Sequence, residues 1–116
     1  VVLNTGYDAK TANKLLDKLD WQVGRDIDAL ITADDVERGR PHPEMIELAM
    51  KKFNITDAKQ VVKAGDSEID IEEGKNACCG LTVAVLSGAQ DRAQLALAQP
   101  DLILDKLTDL ESYILK

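Results

Sequence analysis

Apolar residues in this chain follow two rhythms, short unbroken runs and longer stretches at helical spacing, and the two alternate from end to end. Val1-Val2-Leu3 is an apolar run stopped by Asn4-Thr5-Gly6, which predicts a buried strand leaving into a tight loop. Asp8 is placed to cap a helix reaching Leu19, with Ala9, Ala12, Leu15, Leu16 and Leu19 on one face. Ala29-Leu30-Ile31-Thr32 predicts a second strand, followed by the acidic loop Ala33-Asp34-Asp35. Gly39-Arg40-Pro41-His42-Pro43 must be loop, because its prolines and glycine exclude regular structure. Pro43 then suits the first turn of a helix to Phe53, whose apolar side is Ile46, Ala49, Met50 and Phe53.

The second half repeats the pattern. Gln60-Val61-Val62-Lys63-Ala64 reads as a strand closed by Gly65-Asp66-Ser67, and a helix follows from about Ile69 to Ala77. Leu81 to Leu86 is a strand of uninterrupted apolar character, Gln90 to Ala98 a short helix, Asp101 to Leu104 a last strand, and Leu107 to Leu115 a closing helix. Strands apolar on both faces, alternating with helices, predict an α/β fold: a mostly parallel sheet with helices on both faces, three layers in a Rossmann-like order.

At 116 residues the chain suits one domain, spanning 1–116, and can bury roughly two-thirds of its unfolded surface. A net charge of -7 without a Lys/Arg cluster argues against nucleic acid as a partner. A small phosphorylated ligand stays compatible, since it needs only a few cations and a metal ion. Cys78 and Cys79 are adjacent and would bridge only through a strained ring, so they are expected to be reduced thiols in a cytoplasmic protein. No apolar run approaches the roughly 18 residues of a membrane span. The chain opens inside an apolar run, which creates the expectation of a segment upstream.

In parallel sheets ligands gather at the carboxyl ends of the strands. The polar groups fall there. Asp66 stands directly beyond an apolar strand, and Asp70 four residues later lies on the first turn of a helix. Two carboxylates so spaced can converge on one hard cation while the helix N-terminus offers amides to an anion; equally, they can be a helix cap and a first-turn acid. Arg40 can clamp a phosphoryl oxygen or face solvent. His42, the single histidine, fits a loop or cap position better than a general base. Asn4 and Thr5 can donate to an oxyanion or serve the turn, and Lys63 can point toward a site or snorkel at a sheet edge.

Leu3 to Asp8, Asp34-Asp35-Val36 with Gly39-Arg40-Pro41, Ala64 to Ala77, and Val83 to Ala89 together resemble the haloacid dehalogenase superfamily, more narrowly its phosphonatase-like branch. The resemblance implies a Mg²⁺-dependent phosphohydrolase working through an aspartyl-phosphate on a small phosphate ester or phosphonate. Asn4 takes the place of the second-motif Ser/Thr, and Thr5 and Gly6 follow it, where backbone amides would also face the phosphate. Arg40 matches the third-motif cation, Asp66 the magnesium-ligating acid, and Asp70 its partner at the metal. The first motif, an apolar strand ending Asp-x-Asp, is missing, and with it the cap domain. Asp26-Ile27-Asp28 follows Val23-Gly24-Arg25 and comes after the second motif, so it reads as loop. The family's first-motif strand lies between those matching Val1–Leu3 and Gln60–Ala64. The gap is expected to be filled by an N-terminal segment of the same protein or by a second copy. Two other classes fit the same pattern: a receiver-type signalling domain, and a catalytically silent interaction module.

Overall fold

In the computed structural model, which describes residues 1–86, 88 and 90–114, every apolar run read as a strand forms one. The elements are β1 (Val2–Asn4), α1 (Ala9–Leu19), β2 (Ala29–Ile31), α2 (Glu44–Lys52), β3 (Val62–Gly65), α3 (Glu68–Asn76), β4 (Leu81–Val85), α4 (Arg92–Leu97), β5 (Leu102–Leu104) and α5 (Asp109–Ile114). Short 3-10 turns occupy Ala33–Asp35 and Ala58–Gln60. Ser87 and Ala89, which carry part of the resemblance, and Leu115, the expected end of the last helix, lie outside the described residues. The chain divides into two units, Val1–Thr56 and Asp57–Lys116.

In the first unit β1 and β2 pair in parallel, Val2 opposite Ala29 and Asn4 opposite Ile31, and α2 packs on both. The Asp8 carboxylate accepts the Thr11 amide at 2.8 Å and so starts α1 where the sequence places the cap. The apolar face of α1 is narrower than its five expected residues. Ala12 and Leu16, one line at i and i+4, are buried, whereas Leu15 and Leu19 form the neighbouring line, about 100° round the helix, and are exposed. On α2 the burial also shifts. Met45 and Ile46 are buried and Phe53, just past the last turn, is exposed.

In the second unit β4 lies between β3 and β5, all parallel. As the central strand it is the most enclosed, with Thr82, Val83, Ala84 and Val85 buried. Ile71 of α3, Ala84 of β4 and Leu95 of α4 form its core, with Leu86, Ala98 and Ile103 against them. The Asp101 carboxylate takes the Thr82 amide at 2.7 Å and its hydroxyl at 3.1 Å, so Asp101 ties β5 to β4 instead of opening the strand. Helix α4 begins two residues later than its apolar pattern suggests, because Asp91 and Gln94 cap each other reciprocally. Cys78 is exposed and Cys79 half-buried, both free thiols, and burial pushes the Cys79 thiol up.

Among the described residues β1 pairs only with β2, and β3 only with β4, so each is an edge strand of its sheet. No described helix is long and apolar enough to cross a membrane. Truncating a fully buried core side chain should be costly. Ile71→Ala is expected to lose about 2–5 kcal/mol in chemical denaturation, whereas Leu97→Ala, at a residue 77% exposed, should stay within about 0.5 kcal/mol of the parent.

Candidate functional site

The first unit brings two distant segments to one place. Arg40 lies in the loop before α2, half-buried, and its guanidinium rests over Gly6 in the loop after β1. A Cβ at Gly6 would stand 2.9 Å from the nearer guanidinium nitrogen. With no Cβ at Gly6, the planar donors lie close to the backbone there. Asn4 and Thr5 precede Gly6 directly, so the second- and third-motif residues of the sequence reading meet in one unit.

The loop carrying Arg40 is held at its base. Arg38 Nε donates to Glu44 Oε1 at 2.6 Å, and the Arg38 amide donates to the other carboxylate oxygen at 3.1 Å. This clasp spans residues 38 to 44 and includes the cis peptide bond between Arg40 and Pro41. Hydrogen bonds from Arg38 hold the Glu44 carboxyl below its ordinary range. His42 is exposed in the same loop.

Thr5 differs from the expectation. Its amide, read as facing the phosphate, donates to the Ile31 carbonyl at 3.0 Å and extends the parallel ladder by one rung. Its hydroxyl oxygen accepts the Tyr7 amide at 3.2 Å, which leaves the hydroxyl's own hydrogen to offer. The acids after β2 serve the backbone. Asp34 accepts the Ala9 amide at 2.7 Å, and Asp35 accepts the Thr32 amide at 2.8 Å in a capping box. Asp26 is likewise turn chemistry, accepting the Gln22 amide and Arg25 Nε, each at 2.9 Å. Those bonds, the Gln22 amide first, hold its carboxyl below the usual range.

In the second unit Asp66 leaves the carboxyl end of β3 and is exposed. It is not the cap of α3; Ser67 is, and Asp70 completes the capping box. Asp70 Oδ2 takes the Ser67 hydroxyl at 2.9 Å and the Ser67 amide at 3.3 Å, while Oδ1 stands 3.7 Å from Lys63 Nζ. Asp70 is therefore committed to the loop and to a lysine. The amides expected to meet an anion at this helix start are partly taken as well, since the Glu68 amide donates to Gln90 Oε1 at 2.7 Å. The loop after β4 comes against Asp66. A Cβ at Gly88 would stand 2.5 Å from Asp66 Oδ2.

Hard oxygen donors suit Mg²⁺, which keeps several waters and takes one or two carboxylates from a protein. An exposed carboxylate at a strand end, crossed by a glycine backbone, fits that demand. No group of three or more His, Cys, Asp or Glu side chains able to hold a metal occurs among the described residues. Lys63 neither snorkels nor points out; it is buried beside Asp70 and Glu73. That pairing escaped the sequence reading, although acids at 70 and 73 on one helix face and a lysine in an apolar strand were its visible signs.

Residues 1–77 match the family model for haloacid dehalogenase-like hydrolases. The phosphonoacetaldehyde hydrolase of Latilactobacillus sakei subsp. sakei (strain 23K) is 39% identical over 103 residues, 89% of this chain and 37% of that protein. Pyrophosphatase PpaX of Bacillus mycoides (strain KBAB4) is 41% identical over 85 residues, 72% of this chain and 38% of that protein. The crystal structure of a phosphonoacetaldehyde hydrolase-like protein from Oleispira antarctica aligns with a TM-score of 0.81 at 25% identity, over 99% of this chain and 49% of that one. The chain spans well under half the length of these curated relatives. The matched span contains positions 4–6, 40, 66 and 70, and membership in this family replaces the receiver-domain reading.

The Arg38–Glu44 clasp gives a pH prediction. Because the folded carboxyl titrates lower than an ordinary glutamate, the clasp is intact above that range and is lost as pH falls through the depressed value. Carboxyl-carbon NMR titration should place the Glu44 midpoint below that of a free glutamate, and Arg38→Ala should bring it back up.

Proposed function

Since the chain belongs to the haloacid dehalogenase-like hydrolases, we propose that it forms part of the core of a Mg²⁺-dependent phosphohydrolase acting on a small phosphate ester or phosphonate. The observation that carries the reading is the Arg40 guanidinium lying over Gly6, immediately after Asn4 and Thr5. A planar cation beside a strand-end loop is suited to a phosphoryl group, which needs bidentate donors and a close backbone. The relatives named phosphonoacetaldehyde hydrolase and pyrophosphatase support that substrate class.

Asp66 would hold the cation, which when bound neutralises charge on the phosphoryl oxygens. Arg40 binds the same oxygens, and its fixed fork sets their orientation. The Asn4 amide replaces a hydroxyl at the family's position and donates to the group as charge develops. The Thr5 hydroxyl offers its hydrogen beside it, and Gly6 keeps the approach open. Asp70 steadies the Asp66 loop from below through Ser67. The attacking carboxylate, which would form the aspartyl-phosphate, comes from outside these residues, because Asp26 is held by its own turn. That carboxylate would be contributed by another segment of the same protein or by a second copy.

The test is phosphate release by the full-length protein from p-nitrophenyl phosphate and from phosphonoacetaldehyde, with Mg²⁺ and after its chelation. Turnover of at least one substrate should require Mg²⁺, and Arg40→Ala and Asp66→Asn should each lower kcat/KM by about 10²–10³-fold, the usual effect of losing one group that stabilises transition-state charge. Metal-independent turnover, or full activity in both variants, would sink the proposal.

A further inference from the structure

Beneath the Asp66 loop lies a cluster of three charges, of which the chemistry above uses only Asp70. Lys63 of β3 is 7% exposed, Asp70 6%, and Glu73 fully enclosed. Lys63 Nζ stands 3.1 Å from Glu73 Oε1 and 3.7 Å from Asp70 Oδ1. A buried ion pair is a poor stabiliser, because stripping water from both partners offsets most of their attraction, and an apolar pair of similar volume often serves the fold equally well. Stability alone therefore does not account for an ammonium and two carboxylates at this depth.

A chain of contacts leads from the cluster to the strand end. Glu73 fixes the Lys63 ammonium, and Lys63 faces one oxygen of Asp70. The other oxygen of Asp70 takes both the hydroxyl and the amide of Ser67, the residue next to Asp66. Gly65, on the other side of Asp66, lies so close to Asp70 that a Cβ there would overlap its carboxyl group. Both neighbours of Asp66 are thus set by one carboxylate, whose own orientation answers to Lys63 and Glu73.

We propose that Lys63 and Glu73 are positioning residues that aim the Asp66 carboxylate at its cation through Asp70 and Ser67. This rests on the reading of Asp66 as a cation ligand. The cluster acts as an outer layer of the site: it touches neither cation nor substrate, and it fixes the direction in which the exposed carboxylate leaves β3. Outer partners of this kind typically alter metal affinity by about 10–100-fold when removed.

Binding of Mn²⁺ to the full-length protein, followed by electron paramagnetic resonance beside thermal unfolding, separates aiming from folding. Asp66→Asn should abolish measurable binding. The double variant Lys63→Met with Glu73→Leu fills the space with apolar atoms. It should unfold at a temperature close to the parent's yet bind Mn²⁺ about tenfold more weakly. Glu73→Gln, which keeps the shape and removes one charge, should weaken binding in the same direction and serves alone if the double variant does not fold. Parental Mn²⁺ affinity in the folded double variant or in Glu73→Gln, with binding lost in Asp66→Asn, overturns the positioning role and leaves the site intact. Parental affinity in Asp66→Asn overturns the cation site itself, and the positioning role with it.

Discussion

Parallel pairing sends the strands of a sheet out on the same side, and everything proposed for this chain depends on what stands at those exits. In the first unit β1 and β2 run in register, so Asn4-Thr5-Gly6 and Thr32 emerge together. In the second, β3 and β4 deliver Asp66 and the Gly88 loop to one place, with Gly88 against the Asp66 carboxylate. Exits are where backbone amides and carbonyls lose their ladder partners, so polar chemistry is least costly there. The guanidinium over Gly6 and the carboxylate beside Gly88 are two uses of one geometric rule.

Much of the fold was legible because its strands are short, apolar and separated by helical spacing. All five strands formed within about two residues of their apolar runs, and the Asp8 cap is where residue type placed it. The departures have local causes. Reciprocal capping by Asp91 and Gln94 delays α4, and the Asp101–Thr82 bonds delay β5. Leu15 and Leu19 belong to the α1 stripe by spacing, yet burial follows one line of side chains instead of the whole stripe.

The candidate site's residues could be named from the sequence, but their contacts could not. Arg40 and Gly6 meet as the motif order implied. Thr5 keeps its amide in the ladder, a commitment that no motif reveals, because it depends on the carbonyl of Ile31 at the end of β2. Asp66 and Asp70, equivalent in sequence as acids at a helix start, separate in structure into an exposed carboxylate and a buried one bound to Ser67. Lys63 resisted a reading from sequence, since a lysine in an apolar strand is compatible with an edge or a pair. Only three-dimensional proximity to Glu73 decides it.

The proposed function requires that the full-length protein bind a phosphate group and Mg²⁺ in one complex. Any coupling between two ligands in one complex acts by the same factor in both directions, and a cation beside a phosphate anion makes that factor favourable. Calorimetric titration of the full-length protein with inorganic phosphate, in the presence and absence of Mg²⁺, measures that factor directly. Mg²⁺ should tighten phosphate binding, phosphate should tighten Mg²⁺ binding equally, and both Arg40→Ala and Asp66→Asn should abolish the mutual effect. Phosphate affinity that is the same with and without Mg²⁺ would contradict it.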